Sequence, residues 1–263
     1  MSPDTKVDLT NCDREPIHIL GHVQTFGCLL SVTSDWIINH ASRNISEHIG
    51  LNTEDVIGQH LRTILPAETM EELLRHVQSL TTRDAVERMF AMRLRRDDDQ
   101  LYSVGMHISG GSIVLEFEPQ APRGHTDYMS HVRPMLDRIK QARNVTELCQ
   151  AAARQIKALT GFDRVMVYRF APDQTGEVVA EALTSPMEPF LGLRYPASDI
   201  PQQARALYAR NLLRIISDVD DKVSPIIPER GPEGTPLDLS MSGIRAVSPI
   251  HLEYLRNMGV KAS

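Results

Sequence analysis

The sequence feature that most constrains this chain is residues 194–201, which read RYPASDIP. Pro196 and Pro201 restrict the backbone on either side of Asp199. Ser198 and Asp199 are residue types that stabilise the start of a helix, and a proline there needs no amide partner. The stretch therefore predicts a rigid junction between a loop and a helix.

The composition indicates a globular protein of two domains. With 263 residues, the chain is long for one domain and suits two. The net charge of −6, without a basic cluster, argues against a nucleic-acid-binding surface. No apolar run is long enough to cross a membrane, and the N-terminus lacks the apolar core of a signal peptide.

The three cysteines differ in their surroundings. Cys28 lies in an apolar run typical of a buried strand, and Cys149 shares a helical face with apolar residues, so both are interpreted as core residues. Cys12 lies among charged and turn-forming residues and is expected to be accessible. Three widely spaced cysteines are typical of a reducing cytosol, so we expect a cytoplasmic protein.

His18 and His22 are four residues apart, which is also a spacing of metal ligands on a helix. Pro16 and Gly21 argue against a helix there, and the glutamate of a helical zinc motif is missing. We therefore expect no metal site.

Residues 21–120 predict an α+β domain with an antiparallel sheet. The apolar alternation favours strands at 23–32, 36–40, 87–95, 101–108 and 112–117. Helical patterns occur at 44–49, 52–57 and 68–77, and hairpin turns are expected at 97–99 and 110–111. This order of elements resembles a PAS domain.

Residues 127–263 predict a second α+β domain, which follows a linker rich in proline and glycine. Asn144 with Glu147 three residues later predicts a helix start, and Gly161 predicts its end. A further helix is expected at 127–141, strands at 165–170, 177–182 and 212–216, and a final helix from 249 to 258. The opening of this domain resembles a GAF domain.

Residues 218–243 are rich in Asp, Pro and Gly and are expected to form a structureless, functional insertion. The chain then stops at Ser263 without the last strands of the sheet, which would leave an unpaired edge. We therefore expect a truncated or incompletely represented chain.

Four motifs, in this order, resemble a bacteriophytochrome over essentially the whole chain. They are residues 11–18 (NCDREPIH), 162–170 (FDRVMVYRF), 195–201 (YPASDIP) and 245–255 (RAVSPIHLEYL). The resemblance implies a two-domain PAS–GAF core, with an N-terminal arm of residues 1–20. It also implies that the arm is knotted through the 218–243 insertion, the lasso of this family, with a residue near Val23 at the crossing.

The resemblance implies a linear tetrapyrrole bound in the GAF domain. Plant and cyanobacterial members attach their pigment to a cysteine just before the pocket histidine, where this chain has Ile250. Bacterial members use a cysteine ahead of the PAS domain, which Cys12 matches. The implied cofactor is biliverdin IXα, joined to Cys12 as a thioether through its A-ring vinyl group.

Biliverdin needs cations for two propionates, hydrogen-bond partners for its pyrrole nitrogens and an apolar sheath. The resemblance implies that Arg214, Arg245 and Ser248 bind the propionates. It implies that Asp199 accepts from the pyrrole N–H groups and that His251 lies beside the central rings. A core-packing role stays open for Met166 and Ile250 within the implied lining, which comprises Met166, Tyr168, Tyr195, Ile200, Pro201, Tyr208, Ile250 and Tyr254.

The function implied by the resemblance is red/far-red light sensing through isomerisation of the bilin C15=C16 bond. The signal would pass through a tongue of a following domain to an output domain, a histidine kinase or diguanylate cyclase, in a longer chain. No enzymatic activity is implied for this segment. A homodimer is implied, and the helix at 127–141 is either part of its surface or an ordinary core-packing helix.

Two departures and two alternatives accompany this interpretation. The second pocket histidine of the family is expected beyond Ser263, and residues 24–27 read QTFG where the family often has QPHG, a difference to which we assign no function. One alternative is a chromophore-free PAS–GAF module for dimerisation or small-ligand sensing. The other is an enzyme with Cys12 as nucleophile, for which the sequence indicates neither a base nor an oxyanion site.

Overall fold

The computed structural model describes residues 15–82, 84–121, 128–231 and 234–263. The chain divides into two compact units. The first combines Met1–Pro122 with Gln202–Ser263, and the second is Arg123–Pro201. The C-terminal quarter of the chain therefore belongs to the same compact unit as the PAS segment.

The helices and strands of the described residues follow the chain in this order. The strands are β1 (His22–Gln24), β2 (Cys28–Val32), β3 (Ile38–Ser42), β4 (Val86–Arg93), β5 (Leu101–Ser109), β6 (Ser112–Pro119), β7 (Arg164–Phe170), β8 (Gly176–Leu183), β9 (Arg194–Tyr195) and β10 (Val223–Ile227). The helices are α1 (Ile45–Ile49), α2 (Thr53–Val56), α3 (Leu61–Ile64), α4 (Ala67–His76), α5 (Tyr128–Lys140), α6 (Val145–Thr160), α7 (Gln202–Arg210) and α8 (Pro249–Asn257). Most agree with the sequence pattern to within two residues.

The first unit is built on an antiparallel sheet with strand order β1-β10-β3-β2-β6-β5-β4. Successive side chains of a strand point to opposite faces, and both faces of β2 are buried. Leu30 belongs to a core cluster that includes residues of α1 to α4. Leu29 packs in a second cluster with Leu239 and Ile244, which lie at the end of the insertion and just beyond it. The segment at 237–244 thus helps to cover a sheet face that would otherwise expose apolar side chains.

The prediction that residues 218–243 lack regular structure is wrong for Val223–Ile227. This segment forms β10 and pairs with β1 on one side and with β3 on the other. Its Pro225 has no N–H to donate, but its carbonyl accepts from Arg43 N at 2.8 Å. Because two partners flank it, β10 forms despite the proline at its centre.

The strand predicted at residues 212–216 is also wrong. These residues are irregular, and Leu212 is 93% exposed. Ile216 instead exchanges two backbone hydrogen bonds with Ser263, of 2.6 and 2.9 Å. Apolar composition predicted a strand here, but among the described residues no sheet neighbour lies alongside.

The long strand predicted at 23–32 is two strands, β1 and β2, separated by a turn. At Gly27 a Cβ atom would lie 2.8 Å from the carbonyl oxygen of Phe117, so the turn requires a glycine. The next strand begins at Ile38 rather than at Trp36, because Trp36 adopts a φ of 61° in the preceding turn. The hairpins between β4, β5 and β6 match the prediction.

The second unit contains α5, α6 and a three-stranded antiparallel sheet in the order β7-β8-β9. The predicted caps of α6 are confirmed. The Asn144 side chain accepts from Glu147 N at 2.9 Å, and Gly161 ends the helix with a φ of 72°. Among the described helices of both units, none has the length and apolar character needed to cross a membrane.

Candidate functional site

Arg214 and Arg245 lie close together in the first unit. Arg245 is 8% exposed, and its Nε and Nη1 atoms have no hydrogen-bond partner among the described residues. Arg214 donates through Nη1 to Gly243 O at 3.0 Å and through Nη2 to the carbonyl oxygens of Arg245 and Ala246, the latter at 3.2 Å. Backbone carbonyl oxygens therefore hold the Arg214 guanidinium, while the Arg245 guanidinium keeps two donor nitrogens available.

The electrostatics of this pair favour an anionic ligand. Burial lowers the pKa of Arg245, and burial together with the charge of Arg245 lowers the pKa of Arg214 to about 9. Glu116 is the carboxyl group whose charge acts to raise the pKa of both arginines. Glu116 is itself fully buried, which raises its own pKa. Neither arginine forms an ion pair within the described part of the chain. A buried arginine and a half-buried one beside it, without a carboxylate partner among the described residues, are costly, and a bound dianion would offset that cost.

The N-terminal arm reaches this region through Glu15. The Glu15 side chain is buried, and one of its carboxylate oxygens accepts a hydrogen bond from the hydroxyl of Ser248. Cys12 lies outside the described residues, three positions before Glu15. The predicted attachment cysteine is therefore within a few residues of a segment that contacts the start of α8.

His251 and Tyr254 lie three residues apart on α8 and so share one face of the helix. Their rings are stacked, with an interplanar angle of 13° and centroids 6.3 Å apart. Burial lowers the pKa of His251, and the charge of Arg214 lowers it further, so the imidazole is neutral at neutral pH. A neutral imidazole can both donate and accept a hydrogen bond.

Tyr208 and Ile250 complete the predicted residues of the first unit. Tyr208 is 45% exposed, but desolvation of its phenol still raises its pKa. The charges of Arg214 and Arg245 act on that pKa in the opposite direction, which places the phenol in the same electrostatic environment. Ile250 is half-buried, directly before His251. One electrostatic cluster therefore comprises Arg214, Arg245, Tyr208 and His251.

The second unit presents an aromatic cluster on its sheet. The rings of Tyr168 and Tyr195 have centroids 6.0 Å apart, and Phe170 contacts Tyr168 edge to face at 5.1 Å. The Tyr168 ring packs so closely on Gly176 that a Cβ there would overlap it. Met166, on the same strand as Tyr168, is 37% exposed. Gly176 thus determines where the Tyr168 ring can lie.

Asp199 lies in a backbone turn. Its N–H donates to Pro196 O at 3.1 Å, and the Ser198 hydroxyl donates to its carboxylate at 3.5 Å. Ser198 is four residues before Gln202, the first residue of α7, and among the described contacts it does not cap that helix. Pro201 directly precedes the helix instead.

The predicted lining residues are divided between the compact units. The second unit contains Met166, Tyr168, Tyr195, Asp199, Ile200 and Pro201, and the first contains Tyr208, Arg214, Arg245, Ser248, Ile250, His251 and Tyr254.

Gln24 is a residue whose importance the sequence did not indicate. It is 4% exposed, and its Nε2 donates to Ile215 O at 2.8 Å and to Arg245 O at 3.2 Å. Its Oε1 accepts from Ser217 N at 3.1 Å. Val23 beside it pairs with both Ser224 and Arg245. Strand β1 is therefore bonded to the insertion and to the segments on both sides of it.

The signal that could have identified Gln24 is an amide side chain beside Val23, in a segment that the sequence pattern assigns to a strand. Buried amides are almost always hydrogen-bonded, so this residue needed partners from elsewhere in the chain. The pattern does not reveal which partners, because they lie 191 to 221 positions away.

Comparisons with protein families assign both halves of the chain. Residues 12–120 match a family model described as a PAS fold, and residues 144–263 match one described as a GAF domain.

Several curated proteins are similar over nearly the whole chain. Cyanobacterial phytochrome B of Nostoc sp. is 38% identical over 98% of this chain and 35% of its own length. Bacteriophytochromes of Xanthomonas campestris and Pseudomonas aeruginosa are each 36% identical, over 98% and 100% of this chain and 40% and 36% of their own lengths. The chain thus spans little more than a third of these relatives.

Solved structures agree with the fold. The chromophore-binding domain of Stigmatella aurantiaca phytochrome P1 is 40% identical with a TM-score of 0.85, and the match covers 96% of this chain and 84% of that one. The chromophore-binding domain of a bacteriophytochrome from R. palustris is 35% identical with a TM-score of 0.82, over 95% and 82%.

Proposed function

Because this chain belongs to the bacteriophytochrome family, we propose that it is the chromophore-binding part of a red/far-red photoreceptor whose pigment is biliverdin. The observation that carries the proposal is the buried Arg245, whose Nε and Nη1 lack partners among the described residues, beside the half-buried guanidinium of Arg214. A bilin has two propionates, and guanidinium groups bind carboxylates in a planar, bidentate geometry. The charge of the ligand thus matches the uncompensated charge of the cluster.

The cysteines support biliverdin over bilins that are attached within the GAF domain. Position 250, directly before His251, is an isoleucine and cannot form a thioether. Burial raises the pKa of the Cys28 thiol, which keeps it protonated and unreactive. We assign attachment to Cys12, whose S–H adds across the A-ring vinyl group. The S–C bond forms, the thiol proton moves to the other vinyl carbon, and no oxidant or reductant is needed.

Each residue of the proposed site has a distinct task. Arg214, Arg245 and Ser248 bind the propionates, and the Asp199 carbonyl accepts from the pyrrole N–H groups. The neutral imidazole of His251 exchanges hydrogen bonds with the central rings and with water. The bound pigment supplies the light-driven isomerisation at C15=C16.

Tyr168 and Tyr195 surround the ring that rotates, and the Asp199 carboxylate accepts different hydrogen bonds in the two pigment states. Signalling requires such a difference in contacts, because a ligand shifts a conformational equilibrium only through differential binding. In this proposal the segment carries no enzymatic step of its own. It acts as a homodimer on an output domain in a longer chain, and the tongue of an intervening domain receives the change at Asp199.

The test is addition of biliverdin to the purified chain. We expect a red absorption band that changes on red illumination. Arg245→Gln removes one charge-assisted contact and should weaken biliverdin binding by roughly tenfold to a hundredfold. The control is Arg62→Gln, which replaces an exposed arginine of α3 and should leave affinity unchanged.

Absence of a red band with the folded chain would contradict the proposal and favour a chromophore-free sensor module. Equal affinity of the Arg245 and Arg62 variants would remove Arg245 from the propionate site while leaving the photoreceptor assignment in place.

A further inference from the structure

Glu116 places a carboxyl group in the middle of the sheet of the first unit. It lies on β6, opposite Leu29 of β2 and Gly105 of β5, and it is fully buried. A carboxyl group in such a place is costly unless polar groups around it satisfy its oxygens. None of the tasks assigned to the pigment-binding residues involves Glu116, so its position needs a separate explanation.

Two glycines leave room for this carboxyl group. A Cβ atom at Gly105 would lie 3.4 Å from Glu116 Oε2, and one at Gly243 would lie 3.6 Å from the same oxygen. Burial raises the pKa of Glu116, while the polar groups of residues 242–244 and the charge of Arg88 act to lower it. The carboxyl group is thus enclosed by the sheet on one side and by the end of the insertion on the other.

A hydrogen bond at Gly243 connects Glu116 to Arg214. Glu116 Oε2 accepts from the Gly243 N–H at 3.0 Å, and the Gly243 carbonyl oxygen accepts from Arg214 Nη1 at 3.0 Å. The other two carbonyl oxygens that hold Arg214 belong to Arg245 and Ala246, in the same short segment. Residues 243–246 are therefore fixed to Glu116 at one end and present three acceptors to one guanidinium.

Glu116 acts on the arginines without occupying their donors. Its charge acts to raise the pKa of both Arg214 and Arg245, so it lies near both. Its described hydrogen bond goes to the backbone of Gly243, and no described ion pair joins it to either arginine. The Nε and Nη1 atoms of Arg245 keep no partner among the described residues. Glu116 thus supports this pair without competing with an anion for it.

We propose that Glu116 is a positioning residue of the bilin-binding site. Its carboxyl group fixes residues 243–246, and this segment holds the Arg214 guanidinium where a propionate can bind it. The inference rests on the proposed function, because the propionate is the anion assigned to Arg214. Without an acceptor at position 116, the buried Gly243 N–H would lack a partner and the segment would move to find one. A guanidinium that is not held in advance binds its anion more weakly.

Three variants separate this role from ordinary core packing. Glu116→Leu removes the acceptor, and Glu116→Gln keeps an oxygen that can accept from Gly243. The matched control is Val114→Ala, which lies two residues earlier on the same face of β6 and is also fully buried. It loosens the cluster with Leu239 and Ile244 but leaves the Gly243 hydrogen bond in place. Thermal melting verifies that each variant folds.

The first measurement uses the chain without pigment. A guanidinium held by three carbonyl oxygens rotates slowly, so NMR should resolve separate Nη–H signals for Arg214. We expect these signals in the wild type, in Glu116→Gln and in Val114→Ala, and we expect them to merge in Glu116→Leu. The Gly243 amide of Glu116→Leu should also exchange with solvent about tenfold faster relative to the amides of β6.

The second measurement is biliverdin affinity. Glu116→Leu should weaken binding about tenfold, whereas Glu116→Gln and Val114→Ala should change it by less than about threefold. Resolved Arg214 signals or unchanged affinity in Glu116→Leu would overturn the proposal. So would merged signals in Val114→Ala, which would assign the effect to general loss of packing.

The wild-type chain gives an answer even if Glu116→Leu does not fold. A Gly243 amide that exchanged as fast as that of the exposed Gly110 would overturn the proposal. Failure of the wild-type chain to bind biliverdin would contradict the proposed function instead, and the pigment-free Arg214 signals would still show whether Glu116 holds that side chain.

Discussion

At the scale of single residues, the chain holds several ionisable groups in places where burial opposes their charge. Arg214, Arg245, Glu116 and His107 all have pKa values displaced mainly by burial. Each displacement is a cost in folding free energy that a ligand or a change of pH can alter. Such groups commonly cluster at functional sites.

Cys12→Ala should leave biliverdin bound through its non-covalent contacts but extractable by denaturation. The reason is that the proposed thioether has no substitute, since the Cys28 thiol is buried with a raised pKa. Pigment fluorescence on a denaturing gel measures this directly. Cys149→Ala, which removes a half-buried thiol of α6, is the control and should keep the adduct. A covalent adduct that persisted in the Cys12 variant would assign attachment to another thiol.

His107 should make the stability of the first unit depend on pH. Its pKa falls from an ordinary 6.5 to about 4 in the folded chain, so the unfolded state binds the extra proton between these values. The contribution of a neutral His107 to the free energy of unfolding is therefore complete above pH 6.5. It is lost as the pH decreases towards 4, by about 3 kcal/mol in total. Asp238 acts to raise this pKa and Arg88 to lower it, but burial dominates.

Urea denaturation at several pH values measures this dependence. His107→Leu removes the titrating group, so the free energy of unfolding of this variant should decrease less between pH 6.5 and pH 4 than that of the wild type. The control is His131→Gln, which replaces an exposed histidine and should keep the wild-type pH dependence. An unchanged slope in the His107 variant would show that other groups cause the acid sensitivity. An NMR titration of the wild-type ring gives the same answer if the variant does not fold.

At the scale of elements, β1 and the β10 strand of the insertion support each other. β1 alone has three residues and β10 contains a proline, so neither would be stable as an isolated strand. Together they extend the sheet, and the Gln24 amide ties β1 to the backbone of Ile215 and Arg245. The backbone of the arginine that we assign to the propionate is thereby held by β1.

Gln24→Ala should destabilise the first unit by about 2 to 3 kcal/mol, because buried backbone groups would lose their partners. Denaturant unfolding measures the effect. Gln78→Ala is the matched control, since Gln78 is exposed and makes no described side-chain hydrogen bond, and its change should be within about 0.5 kcal/mol. If both variants unfolded alike, the Gln24 contacts would not contribute to stability.

At the scale of the whole molecule, the compact units do not follow the order of the chain. The chain leaves the first unit after Pro122 and rejoins it at Gln202. Apolar side chains stay exposed on the helices of the second unit, including Leu136 on α5 and Val145 on α6, which are 44% and 73% exposed. An exposed apolar surface of this kind is typical of an interface, which supports the proposed homodimer.

Leu136→Glu should weaken that dimer, because it places a charge in an apolar contact. The dimer dissociation constant, measured by sedimentation equilibrium, should rise tenfold or more. Leu212→Glu is the control, since Leu212 is 93% exposed in an irregular segment of the first unit. A wild-type chain that is monomeric at high concentration would contradict the dimer, and an unaltered dimer in the variant would exclude α5 from its interface.

Features that depend only on neighbouring residues follow from the sequence. The caps of α6, the amphipathic α4, the hairpins of β4 to β6 and the four family motifs all belong to this class, because their physical causes lie within a few positions of one another. Other features depend on the tertiary structure. They are the formation of β10, the irregular backbone at 212–216, the contacts of Gln24 and the Arg245 nitrogens without a partner among the described residues. The partners in these cases lie as far as 221 positions away. Whether a strand finds a neighbour, or a buried donor an acceptor, is settled only when distant segments assemble.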